Sequence, residues 1–157
     1  MKLFGAEQVF DYHSASCADD IRAFTSNTLR YAVDCITTPE TMALCYRAIG
    51  RAGGRYTSFD PFPTHIATRR AVTPNWVLGP AMLGRETGWP APYNWTPDPA
   101  LRAWAVAWMA SVQNLLDQGK LKCHPTQAGS NGLEGIVDGL GLLLKKGVSG
   151  RKLVYSL

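Results

Sequence analysis

The chain has 157 residues, 46% hydrophobic and 18% charged, which suits one domain with a real core and excludes a disordered tail. Its formal charge of +4 comes from scattered basic residues, with no run longer than Arg69-Arg70 or Lys145-Lys146, so nucleic acid is not an expected partner. The apolar stretches, such as Leu140 to Leu144, are far shorter than the ~20 residues that cross a bilayer, and Met1 to Phe4 run straight into Gly5 and Glu7 without a signal-peptide core. A cytoplasmic chain with no membrane association is expected.

Phe4, Gly5 and Ala6 read as the tail of a helix closing at glycine, and Val9 to Tyr12 as a short buried strand. A helix tail with no helix before it points to a missing upstream segment. Ser16 can cap a helix from Cys17 to about Thr28, with Asp19 and Asp20 favouring its amino-terminal dipole. Tyr31 to Ile36 form the next predicted strand. Thr38-Pro39-Glu40 then opens a helix with a capping hydroxyl, a proline at the first position and an acid next. Met42, Cys45, Tyr46 and Ile49 make its buried stripe, and Gly50 with Gly53-Gly54 stops it. Arg55 to Phe59 form a further strand. Strands alternating with helices over short connections predict βαβ crossovers and a parallel sheet, hence an α/β fold. Ligands bind such sheets at the carboxyl edge. Tyr12, the Ile36-Thr37-Thr38 turn and Phe59-Asp60 are therefore candidate contacts.

Pro61 to Pro99 are rich in proline and aromatics. Trp76 to Leu83 read as a strand bent at Gly79-Pro80, and Gly88 to Pro99 as an irregular loop. Leu101 to Gln118 form a helix with Trp104, Trp108, Ser111, Val112 and Leu115 on one face, expected to pack in a core, and Gly119 ends it. Lys122 to Thr126 can be extended. Asn131 with Glu134 has the capping-box pattern, ahead of a helix carrying Leu133, Ile136, Val137, Leu140 and Leu144 and closed by Gly147. Lys152 to Tyr155 form a final strand.

No motif carries catalysis by itself. There is no GxGxxG turn after a strand and no Walker loop, and the Gly50 to Gly54 cluster precedes a strand instead of following one. His13, His65 and His124 lack metal spacing. Ser149 is not in a nucleophile elbow. Cys17, Cys35, Cys45 and Cys123 show no CxxC spacing, and three occupy positions suited to buried apolar residues, so structural thiols are expected, Cys35 among them.

Four stretches together carry a family resemblance: "GAEQVFDYHS", "LRYAVDCITTPETMALCYRAIGRAGGRYTSFDPFP", "TPNWVLGPAMLG" and "GLEGIVDGLGLLLKKGVSGRKLVYSL". Over essentially the whole chain they resemble the carboxyl-terminal half of zinc-independent medium-chain dehydrogenase/reductases, in particular fungal trans-acting enoyl reductases of polyketide pathways. The resemblance implies that residues 1–157 are a truncated cofactor-binding domain: a partial Rossmann-like parallel sheet with flanking helices, plus the carboxyl-terminal segment that returns to a GroES-like domain. The GroES-like domain and the glycine-rich phosphate loop are absent from this sequence. It implies NADPH as cofactor, with Tyr12 on the adenosine-phosphate side, Phe59 and Asp60 by the nicotinamide half, and Val148 and Ser149 in a late loop reaching the cofactor. Pro80, Ala81, Met82, Leu83 and Gly84 correspond to a strand lining the acyl-substrate pocket. The implied reaction is hydride transfer to an α,β-unsaturated thioester carried on the acyl carrier domain of a partner polyketide synthase. The cofactor does the chemistry, so no catalytic acid, base or nucleophile is expected here. The alternative reading is an inactive remnant, or a cofactor-domain module without catalysis of its own. An exposed sheet edge would make such a chain prone to self-associate.

Overall fold

The computed structural model describes residues 2–145 and 147–157, with two compact units, Met1–Met109 and Ala110–Leu157.

In the first unit, a 3-10 turn at Lys2–Phe4 ends at Gly5, whose φ of +92° suits glycine. The expected strand at Val9 to Tyr12 does not form. Asp11 turns the chain instead: its Oδ1 accepts from the His13 backbone N–H and its carbonyl from that of Ser14. A strand needs a neighbour to hydrogen-bond, and the three-stranded sheet of this unit does not include this segment. Helix α1 covers Cys17–Phe24 and stops before Thr28, because Ser26 and Asn27 adopt positive φ. Ser16 is not a side-chain cap; its hydroxyl donates to Asp20 Oδ2 instead.

Strand β1 (Tyr31–Asp34), helix α2 (Pro39–Ala48) and strand β2 (Gly54–Ser58) form the expected parallel βαβ unit. The cap of α2 is as read: Thr38 Oγ1 accepts from the Thr41 N–H at 3.2 Å, and Thr41 Oγ1 accepts from the Thr38 N–H at 2.9 Å. After α2 the chain turns tightly into β2. Gly53 has φ +79°, and a Cβ there would meet the Ala71 carbonyl oxygen at 1.9 Å, so only glycine fits.

Strand β3 is Val72–Trp76, parallel to β2, and not the expected Trp76 to Leu83. Pro74 sits in the middle of it. The sheet order β1-β2-β3 leaves β3 on an edge, where a missing N–H breaks no ladder bond. Gly79–Leu83 is a 3-10 turn. Gly88 to Pro99 are irregular, apart from the start of helix α3 (Pro99–Asp117).

Strand register sorts the sheet into two unlike faces. Tyr56, Ser58 and Val72 point to the α2 side and join Met42, Tyr46 and Ile49 in the core, with Tyr46 and Tyr56 edge to face at 5.6 Å. The opposite face carries Tyr31, Val33, Arg55 and Thr57, and there Tyr31 is 70% and Val33 61% exposed.

The second unit pairs strands β4 (Thr126–Ala128) and β5 (Lys152–Val154) in parallel around helix α4 (Gly132–Leu144). The capping box does not form; Asn131 has φ +67° and makes no side-chain cap bond. The buried face of α4 is not the leucine stripe. Gly135 and Gly139 are buried against Tyr155, while Leu133, Val137, Leu140 and Leu144 are exposed. The tryptophans of α3 also miss the expected core. Trp104 and Trp108 are about half exposed and stack on each other at 5.9 Å, and Ala105 is the helix's buried residue.

Candidate functional site

The carboxyl ends of β1, β2 and β3 meet at one edge of the sheet. Phe59 N–H donates to the Asp34 carbonyl (3.3 Å), and Val77 N–H to the Ser58 carbonyl (2.9 Å), so the chain segments leaving the three strands stay laced together.

Asp34, 5% exposed, organises this edge. Its Oδ1 accepts the N–H groups of Ile36 (3.0 Å) and Thr37 (2.9 Å), which ends β1 two residues earlier than the sequence suggests. Its Oδ2 accepts the hydroxyls of Thr41 (2.7 Å) and Tyr56 (2.9 Å), tying the start of α2 to the middle of β2. Burial alone would raise the carboxyl pKa, but these hydrogen bonds outweigh it and hold it below the ordinary aspartate value. Tyr56 responds in the opposite sense: burial first, then its bond to the Asp34 carboxylate, pushes its phenol well above the tyrosine range. Burial, with the Asp34 charge adding to it, pushes the Cys45 thiol up to about 12. All four cysteines are free. Cys17 is buried and Cys45 half-buried, as structural thiols should be, but Cys35, in the bend just after β1, and Cys123 are exposed, against the expectation.

Phe59 and Asp60 follow β2 at this edge, with Phe59 53% exposed. Ser58 Oγ donates to the Asp60 carbonyl (2.7 Å), and the Tyr93 hydroxyl donates to Asp60 Oδ1 at 2.6 Å. That bond, led by the hydrogen bond itself, raises the Tyr93 pKa. Tyr93 packs edge to face on Trp76 at the end of β3 (5.9 Å), and Trp95 does the same (5.6 Å). The proline-rich loop is thus pinned to the sheet edge. The Tyr93 contact carried no signal in the sequence, because a residue in an irregular loop has no periodicity to betray its partner.

The segment Pro80 to Gly84 is a turn, not the strand expected, since Pro80 at its start and Gly84 at φ +69° favour a tight turn. Ala81 is buried. Met82 and Leu83 nonetheless line an apolar cavity of about 420 Å³ against Arg102, Val106 and Met109 of α3. Tyr12 stands in the turn before α1, 65% exposed, its ring 3.9 Å from that of His13. Val148 and Ser149 lie in the loop between α4 and β5 of the second unit. Among the described residues no three His, Cys, Asp or Glu side chains form a metal-binding group, and no helix is long and apolar enough to cross a membrane.

The comparisons with known proteins define the class first. The fold matches two solved enzymes over 99% of this chain: the enoyl reductase cyclopropanase CurF of the curacin A pathway (TM-score 0.68, 16% identity) and the CurK enoyl reductase (TM-score 0.64, 12% identity). Each match uses 43% of the solved chain. The fold is shared with part of each of those two solved chains. No family model matches the sequence. The chain is 52% identical over 157 residues to the trans-enoyl reductase FSL5 of Gibberella zeae, covering 44% of that protein. It is 48% identical to buaC of Petromyces alliaceus and 50% to cghC of Chaetomium globosum, also trans-enoyl reductases, and covers 43% and 42% of them. By sequence this chain is similar to part of these trans-enoyl reductases, and it spans less than half of their length.

Proposed function

We propose that the chain is a carboxyl-terminal part of an NADPH-dependent trans-acting enoyl reductase that reduces α,β-unsaturated polyketide thioesters in the cytoplasm. The observation that carries this reading is identity near one half to trans-enoyl reductases along the entire chain. The carboxyl edge of the sheet supports it. Phe59 offers an exposed ring there, and Asp60 offers a carboxylate already held by Tyr93. A phosphate would be repelled by Asp60, whereas the uncharged nicotinamide half of the cofactor fits an aromatic face beside a hydrogen-bond acceptor.

When bound, NADPH supplies a hydride to the β-carbon of the thioester. The residues of this chain bind and orient. Phe59 and Asp60 would hold the nicotinamide end and Tyr12 would serve the adenosine-phosphate side; Val148 and Ser149, in the second unit, are further candidate cofactor contacts by resemblance alone. Met82 and Leu83 would form an apolar wall that receives the acyl chain, with Pro80, buried Ala81 and Gly84 shaping the turn that presents them. The thioester arrives on the acyl carrier domain of a partner polyketide synthase.

A second reading, a cofactor-domain module without catalysis of its own, is favoured by the bare second face of the parallel sheet with Tyr31 and Val33 exposed. Titration with NADPH, followed by nicotinamide fluorescence in the presence of a crotonyl thioester, separates the two. Binding in the micromolar range with turnover would sink the module reading. An absence of binding even at millimolar cofactor would mean that the chain needs the rest of a reductase to work.

A further inference from the structure

A second cavity lies at the opposite edge of the same sheet. It is about 630 Å³, a size that holds a small ligand. Arg51 precedes β2, Arg69 precedes β3, and Arg47 ends α2, so the topology puts them at the amino edge, away from Phe59 and Asp60. Arg22 of α1 completes the lining, together with Tyr46.

The charges here are poorly balanced. Arg69 donates to three carbonyls at the end of α2, those of Tyr46, Ile49 and Gly50, each at 2.7 Å, and Arg22 Nε donates to Asn27 Oδ1 at 3.3 Å. Those acceptors are neutral and leave both positive charges in place. Among the described residues only Asp19 brings a carboxylate to these arginines, to Arg47 at 3.1 Å, and that pair is solvent-exposed. Among the described residues the Arg51 guanidinium has no bonded partner. Tyr46 is 4% exposed, yet its hydroxyl makes no hydrogen bond among the described residues. That hydroxyl is closed off within the core, so it is the guanidinium groups that give the cavity a positive lining, which an anion would balance.

We infer that this cavity is a binding site for a phosphate-bearing small molecule, held by the forks of Arg22, Arg47 and Arg51 over the fixed charge of Arg69. Guanidinium groups present paired donors that match phosphate oxygens, and a cavity wall raises the strength of such bonds above that at an open surface. The site is separate from the cofactor edge, and the inference holds whether or not the chain reduces anything.

The test is isothermal titration of the chain with inorganic pyrophosphate at constant ionic strength. Saturable binding of one pyrophosphate per chain is expected. Arg51→Gln should weaken it at least about fivefold, because a charge-assisted pair is lost. Arg51 is exposed and its side chain braces nothing, so the variant should fold like the parent by circular dichroism. Asp19→Asn should tighten binding by about twofold or more, since it frees Arg47 from its carboxylate. Opposite responses of two folded variants support the site. Non-saturating heats that are the same in the parent and in Arg51→Gln would overturn it.

Discussion

Asp34 joins four donors from three segments of the chain, and Asp34→Asn should lower stability by about 2 kcal/mol, read as a reduced urea midpoint near neutral pH. Its folded pKa lies below the unfolded value. The stabilisation is therefore fully present above about pH 4 and is lost as pH falls through the folded value. Urea titrations repeated down to about pH 2 should show this acid limb in the parent and a flatter one in Asp34→Asn. Equal limbs would mean that Asp34 does not titrate with folding. Little of this residue's role was legible in advance. The local part was, since Thr38 and Pro39 announce the helix that Asp34 caps from behind. The long-range part was not, because Tyr56 lies 22 residues further on and only the parallel register brings its hydroxyl to Asp34. Cys35 shows the same limit: the Asp34 bonds end β1 just before it, and the thiol falls in an exposed bend instead of a buried strand position.

Helix α2 was readable end to end because every cue for it is local: a hydroxyl cap, a proline, an apolar stripe and a glycine stop. The failures all involve partners beyond the segment. Val9 to Tyr12 has strand-forming residues but no strand of this sheet to join. Val72 to Trp76 was hidden by Pro74, which only an edge position tolerates. Helix α4 misleads in a different way, since Leu133, Leu140 and Leu144 are exposed while Gly135 and Gly139 are packed. Gly135 illustrates the competition. An alanine there would gain about 1 kcal/mol of helix propensity. Its Cβ, however, would sit 1.8 Å from the Ser130 carbonyl oxygen and 3.1 Å from the Tyr155 ring. The clash with backbone should win, with a net loss of about 2 kcal/mol. Hydrogen exchange of the α4 amides should be faster in Gly135→Ala; slower exchange would show that the close approach to Ser130 is relaxed in solution.

At the scale of the whole molecule, the sheet has one clothed face and one bare face. Parallel sheets are ordinarily covered on both sides, and Tyr31 with Val33 presents an apolar surface on the uncovered one. The isolated chain should self-associate in a concentration-dependent way by light scattering. Replacing Tyr31 and Val33 together by threonine should shift it towards the monomer; a parent that is monomeric at every concentration would contradict this. The arginine cavity also belongs to this scale. The basic residues are scattered in sequence, and only the fold gathers Arg22, Arg47, Arg51 and Arg69 around one space. The alternating order of strands and helices, and the family likeness, were legible because they depend on pattern along the chain. Whether the chain contributes to enoyl reduction is tested most directly by a chimera, with this chain replacing the matching segment of the Gibberella zeae trans-enoyl reductase. The chimera should bind NADPH and reduce a crotonyl thioester within about tenfold of the parent enzyme. A chimera that folds but neither binds NADPH nor turns over the thioester would contradict the assignment.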